Sequence, residues 1–292
     1  MVRRVLLTGA GGFIGRHVPA LLTARGFEVH PVGRKQIDLL DAQATDKLVA
    51  EIGASHLLHL AWYTKHGAYW EAPENLDWTA ATLRLARSFR AAGGERLVAA
   101  GTCAEYEWTD ECCGEGTPLR PSTLYGTAKD ATRRVLEAYA AVSGLSFAWG
   151  RVFFPYGPGE QPPRVVAAAA RAAVAGETVA CSSGEQIRDF LYVEDLASAF
   201  VELVDSAATG CFDLGSGEGV ALRTVLLTLE ELAGCEGVVR FGEAPQRDEP
   251  ALIVADVRRL RAETDWQPSH GLREGLERTL EWWREATLAP HS

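Results

Sequence analysis

Short apolar runs and longer amphipathic stretches alternate along the first half of the chain. Val5-Leu6-Leu7-Thr8 is one such run; glycines and a helical stretch closed by Gly26 follow it. Phe27–Val32, Ser55–Leu60, Arg96–Ala100 and Leu145–Phe153 read as further strands, with helices at 43–52, 75–92 and 123–143. Buried strands spaced by helices predict βαβ units: a parallel sheet, right-handed crossovers and helices on both faces. The pattern changes after Phe154. Pro155-Tyr156-Gly157-Pro158-Gly159 and Pro162-Pro163 are dense in turn formers. An Ala-rich helix near 164–175, a strand at 179–181, a helix at 193–204 and a strand at 211–214 follow. A helix at 222–233, a strand at 237–241 and a closing helix at 271–286 complete the chain. The expected fold is α/β: a doubly wound parallel sheet with a smaller C-terminal α/β part. Residues 1–154 form the first domain, with 188–216 returning to it, and 155–187 with 217–292 form the second. Pro19 lies inside the first helical stretch, where its missing N–H predicts a slight bend.

Composition narrows the classes of function. A chain of 292 residues buries a sizeable core without disulfides. No apolar run approaches the ~20 residues of a membrane span. The N-terminal apolar piece is short and runs into glycines, so it reads as a strand and not a signal peptide. Thirty-nine acidic against 29 basic residues, net −10, argue against a nucleic-acid partner. The six cysteines form no CxxC pair and lie at no zinc-ligand spacing from a histidine, so no metal site is expected. They read as reduced thiols of a cytoplasmic protein, with the vicinal Cys112–Cys113 pair leaving a redox role open.

The chemistry begins in the first turn. Gly9-Ala10-Gly11-Gly12-Phe13-Ile14-Gly15 places glycines at 9, 12 and 15 between a strand and a helix. Glycine permits positive φ and lets a pyrophosphate approach the backbone, and the helix N-terminus supplies free N–H groups. A dinucleotide is the implied ligand. The second strand ends in Val32-Gly33-Arg34-Lys35 with no acid before Asp38. Arg34 and Lys35 suit a 2′-phosphate, so NADP(H) is preferred, with NAD(H) the alternative. Further on, Tyr125-Gly-Thr-Ala-Lys129 puts a phenol and an ammonium one helical turn apart. The ammonium is expected to lower the phenol pKa and make Tyr125 an acid/base near neutral pH.

These motifs resemble the extended short-chain dehydrogenase/reductase family, the NAD(P)-dependent nucleotide-sugar epimerase/dehydratase/4-ketoreductase group. The resemblance rests on TGAGGFIG at 8–15, Asp38-Leu39, HLA at 59–61, Asn75, Thr102 with Tyr106, YGTAK at 125–129, RDFLYVEDLA at 188–197 and FDLGSG at 212–217. It implies a Rossmann-like fold and a catalytic trio of Thr102, Tyr125 and Lys129. Thr102 hydrogen-bonds the substrate oxygen, Tyr125 passes the proton and Lys129 holds the nicotinamide ribose. Gly9, Gly12, Phe13, Ile14 and Gly15 cradle the cofactor, Asp38 and Leu39 lie at its adenine, and Leu60 and Ala61 lie near its middle. The 4,6-dehydratases of the family carry Asp-Glu after the Thr. Cys103 and Ala104 stand there instead, which disfavours dehydration and leaves simple hydride transfer.

On the substrate side, Arg188 resembles the family arginine that meets the sugar-nucleotide diphosphate, with a pair to Asp189 or Glu194 as the alternative. Arg247 sits near the place of a second such arginine. The family Asn after Arg-x-Phe is Phe154 here. The run Trp62–Trp70 follows the strand at 55–60, where its aromatic side chains and His66 can line the sugar pocket, with a loop packed onto its neighbours as the alternative. The expected activity is NADP(H)-dependent reduction of a nucleotide-activated 4-keto-6-deoxyhexose. The alternatives are an NAD-dependent nucleotide-sugar 4-epimerase and a non-catalytic dinucleotide sensor. A homodimer through the helices at 75–92 and 123–143 is expected, with Leu83, Leu85, Phe89, Val135 and Leu136 available to core and interface.

Overall fold

The structure, a computed structural model, describes residues 2–109, 112–245 and 249–288. The chain runs β1 (Arg3–Thr8), α1 (Val18–Ala24), β2 (Phe27–Val32), α2 (Ala42–Ile52), β3 (His56–His59), α3 (Glu74–Ala91), β4 (Arg96–Thr102), α4 (Leu124–Ser143) and β5 (Ser146–Val152). It continues through β6 (Phe154–Tyr156), α5 (Val165–Ala175), β7 (Val179–Cys181), β8 (Ile187–Arg188), β9 (Phe190–Tyr192), α6 (Val193–Asp205) and β10 (Gly210–Leu214). It ends with β11 (Val220–Ala221), α7 (Leu222–Ala233), β12 (Val239–Phe241), β13 (Leu252–Ile253), α8 (Arg258–Glu263) and α9 (Leu272–Leu288).

Six strands pair in parallel in the order β10-β5-β4-β3-β1-β2. Val5, Leu6 and Leu7 of β1 are all buried, as a strand covered on both faces requires. α1 and α6 share one core with the sheet, and α3 and α4 share another across its opposite face. Asp41 caps α2 through the Ala44 N–H, and Gly53 closes that helix at φ +53°. The strand order reverses between β1 and β3, which opens a crevice at the carboxyl ends of the strands. α5, α7 and α9 pack around Tyr156 and Tyr192 in a third cluster beside that crevice.

The doubly wound sheet is as the apolar pattern predicts, with β10 returning to pair with β5. Pro19 does not bend a helix. A 3-10 turn over Gly15–His17 precedes α1, so Pro19 stands at the second helical position, where no intrahelical N–H bond is lost. Leu85, Phe89 and Leu136 are core residues; Val135 is exposed, together with Leu76 and Val142. Among the described residues no helix is long and apolar enough to cross a membrane.

Candidate active site

The turn after β1 is shaped by what it excludes. Gly9 has φ +74°, and its carbonyl accepts the Gly12 N–H at 2.9 Å. A Cβ on Gly15 would lie 2.1 Å from the Gly9 oxygen, and one on Gly9 would lie 2.8 Å from the Ala61 nitrogen. Only glycine lets the 3-10 turn, β1 and the end of β3 meet this closely. Gly11 has open space on its Cβ side. This cradle fits a dinucleotide pyrophosphate held against backbone N–H groups. Gly15→Ala is expected to abolish dinucleotide binding in a fluorescence titration. Parental affinity would show that the cradle does not hold the cofactor.

The crevice holds a cavity of about 1330 Å³. Gly9, Gly12, Phe13, Ile14, Gly15, Arg34, Asp38, Leu39, Leu60 and Ala61 all line it. So do Thr102, Tyr125, Lys129, His66 and Arg188, so the structure gathers these sequence-predicted residues around one space. Arg34 and Lys35 are exposed at its rim. Asp38 turns one carboxylate oxygen onto its own loop, accepting the Leu40 N–H at 3.0 Å. Arg247 lies outside the described residues.

The proposed trio sits where β4 ends and α4 begins. Thr102 accepts the Ala104 N–H at 3.2 Å, and its hydroxyl hydrogen-bonds the Tyr125 phenol. Lys129 Nζ donates to the Ala100 carbonyl at 2.8 Å and lies 3.8 Å from the Trp62 ring centroid. The Tyr125 pKa is not lowered as expected. Burial raises it, Tyr69 adds to the rise, and only the Thr102 hydrogen bond opposes it. Burial also pushes Lys129 down to about 7, with Glu105 opposing the fall. A site this dry penalises both charges before it couples them.

The run Trp62–Trp70 both lines the cavity and packs onto the trio. Tyr69 and Trp70 meet the Tyr125 ring edge-on, with centroids 4.9 and 5.8 Å away, and the Trp70 carbonyl accepts the Tyr125 N–H at 2.9 Å. Buried Asn75 ties this loop to α3. It accepts the Trp62 indole N–H at 2.9 Å and donates to the carbonyls of Tyr69 and Ala72 at 2.7 and 2.9 Å.

Arg188 lines the far part of the cavity but pairs with neither Asp189 nor Glu194. Its guanidinium bonds Glu249 at 3.1 Å and the Ile187 and Pro250 carbonyls at 2.9 and 3.0 Å. Phe154 lies 5.5 Å from the guanidinium carbon, at the place of the family Asn. Asp189 instead accepts the N–H groups of Ser216, Gly217 and Ala255, because the chain there turns back over β8. Sequence reasoning missed Glu160, a buried cavity residue. Burial pushes its carboxyl up to about 8, and its Oε2 has no hydrogen-bond partner among the described residues.

A glycine cradle at the strand-order switch, facing a buried Tyr–Lys pair across a shared cavity, defines an enzyme that works with a dinucleotide. The NAD dependent epimerase/dehydratase family model matches residues 5–213. UDP-glucuronic acid decarboxylase 1 of Xenopus tropicalis is 27% identical over 312 residues, covering 97% of this chain and 72% of the relative. The Thermus thermophilus UDP-glucose 4-epimerase, solved in complex with NAD, is 30% identical with a TM-score of 0.89 over 97% of this chain and 99% of that one. RMD from Pseudomonas aeruginosa, complexed with NADPH, shares the fold at 23% identity and a TM-score of 0.89, covering 98% and 100%. The chain belongs to the NAD dependent epimerase/dehydratase family, in the extended short-chain dehydrogenase/reductase group.

Proposed function

We propose that this enzyme is a nucleotide-sugar 4-epimerase that keeps its dinucleotide bound through the cycle. One observation carries the reading. The cradle, the Thr102–Tyr125–Lys129 centre and Arg188 open onto a single cavity, while the two residues after Thr102 are Cys103 and Ala104. At those two positions the centre thus has no carboxylate to expel a hydroxyl. The names of the related epimerases support the same choice. A bound nicotinamide ring supplies the site for hydride to leave the sugar and return. Tyr125 Oη, as its phenolate, takes the proton of the sugar oxygen and, as the phenol so formed, gives it back. Thr102 Oγ1 hydrogen-bonds that oxygen, and Lys129 Nζ is placed to hold the ribose. Arg188 meets the diphosphate once Glu249 releases it.

A second reading, NADPH-dependent reduction of a nucleotide-linked 4-keto-6-deoxyhexose, is favoured by Arg34 and Lys35 at the cavity rim. The test is incubation with UDP-glucose or UDP-galactose and no added cofactor. Interconversion supports the epimerase. Inertness toward both sugars, with NADPH consumed on a 4-keto-sugar, supports the second reading and overturns the first. The intact centre argues against a non-catalytic sensor.

We also propose a homodimer through α3 and α4. Leu76 is 61%, Val135 49% and Val142 84% exposed on these two helices, and closed two-fold pairing would cover them. The substrate part comprises 155–187 and 217–292. The free cysteines fit a reducing compartment, the cytoplasm.

A further inference from the structure

Beneath the trio lies a carboxylate that the mechanism above does not use. Glu105 is fully buried, directly after Cys103 and Ala104. It does not face the cavity. Its Oε1 accepts the Thr102 N–H at 2.9 Å and the Trp149 indole N–H at 2.8 Å. Its Oε2 accepts Arg151 Nε at 2.8 Å, with Arg133 Nε 3.8 Å away. Burying a carboxylate is expensive unless its acceptor sites are filled, and here both oxygens have charged or polar donors. Neutralising Arg151 alone would not require the Thr102 amide. That bond closes a reciprocal cap, in which the Thr102 hydroxyl serves the turn that Glu105 ends.

The same carboxylate reaches the other side of the centre. Trp149, held by Oε1, places its ring 5.8 Å from Lys129 Nζ, and Lys129 itself is anchored on Ala100, two residues before Thr102. Gly101 lies between them with no room for a side chain: a Cβ would come within 2.0 Å of Trp149 Nε1 and 2.6 Å of Glu105 Oε1. Gly101 and Thr102 are therefore held by Glu105, and Ala100 by Lys129.

We propose that Glu105 is a positioning residue for the Thr102–Tyr125–Lys129 centre: it fixes the end of β4 that carries Thr102 and supplies negative charge beneath Lys129. The inference rests on the reading of that trio as catalytic. The charge environment agrees. Glu105 opposes the fall that burial imposes on Lys129. Around Glu105 stand Arg151 of β5 and Arg133 of α4; Arg133 is also paired with Asp130 and Glu137. Tyr106 and Asp213 of β10 close the network behind Arg151, with the Tyr106 hydroxyl 3.0 Å from both Asp213 oxygens. Facing Lys129 are Tyr125 and, from β3, His59. Burial pushes His59 down to about 3, and its ring nitrogens bond Thr8 and Thr82 at 2.7 and 3.0 Å, so it brings no charge.

The chain has four lysines, at 35, 47, 65 and 129, so lysine labelled with carbon-13 at Cε gives a spectrum in which Lys129 is assigned by Lys129→Met. In Glu105→Gln the Lys129 titration is expected to move down by about one unit, the scale of a lost opposite charge nearby. The alkaline limb of kcat/KM moves with it. Glu105→Asp keeps the charge but withdraws it by one methylene. Lys129 then titrates as in the parent, while kcat falls about ten- to a hundredfold because Thr102 is released. An unmoved Lys129 signal in Glu105→Gln, or parental kcat in Glu105→Asp, overturns the proposal. If Glu105→Gln does not fold, the kcat of Glu105→Asp decides it. Full turnover in Lys129→Met would instead sink the reading of the trio, and the Lys129 titration would still report on Glu105.

Discussion

Tyr125→Phe is expected to turn over about 10²–10⁴ times more slowly than the parent chain, the usual worth of a placed proton donor, while still binding dinucleotide. The substitution is conservative in shape. The ring keeps its edge-on contacts with Tyr69 and Trp70, and the backbone N–H still meets the Trp70 carbonyl. What disappears is the hydroxyl that bonds Thr102 and faces the cavity. Cys103, beside Thr102, is no substitute: it is buried, and burial pushes its thiol far up. Because burial also raises Tyr125, the group rests as a neutral phenol at pH 7, ready to donate. Steps in which it must accept a proton should therefore speed up as pH rises. Steady-state kinetics across pH, with a fluorescence titration of the dinucleotide, measures both halves. Turnover within a few-fold of the parent would mean that another residue passes the proton.

How much of this site could be read in advance depended on whether a residue acts locally. The cradle was legible because its constraint is short-range: Gly9, Gly12 and Gly15 answer to one another's backbone, and the spacing carries that. The Tyr125–Lys129 pair was legible as helical spacing. Its electrostatics were not, because they depend on how deeply the fold buries both groups, which no local pattern encodes. Arg188 lines the cavity, and the pair to Asp189 or Glu194 that its sequence offered as the alternative gives way to Glu249. Glu249 is 61 residues away and reaches it only because β13 pairs with β8. Glu105 stands one position beyond the Cys103–Ala104 pair, and its donors Trp149 and Arg151 come from the neighbouring strand β5. The two- and three-residue strands β6, β8, β9, β11 and β13 carry too few positions for alternation to show.

Lys129→Met should separate stability from activity. In the unfolded chain a lysine titrates near 10.5, whereas burial brings Lys129 to about 7 in the fold. Between those values the unfolded state binds more protons than the folded one, so stability rises with pH across that window. Below pH 7 both states are protonated and the full penalty of burying the ammonium is present. That penalty is on the order of 4 kcal/mol at neutral pH, at 1.36 kcal/mol per unit. Methionine fills much of the same volume without a charge. It forfeits the bond to the Ala100 carbonyl, about 1 kcal/mol, and the contact with the Trp62 face, about as much again. A net gain remains, and the melting temperature at pH 6–7 should rise by about 5 °C. The gain should shrink toward pH 10, where the parent lysine has already shed its proton in the fold. Turnover should meanwhile fall at least as far as in Tyr125→Phe, since the ammonium placed to hold the ribose is gone. Calorimetry at pH 6, 8 and 10 beside a turnover assay tests the pair of effects. A lowered melting temperature, or a gain independent of pH, would show that Lys129 is not the buried, strained cation described here.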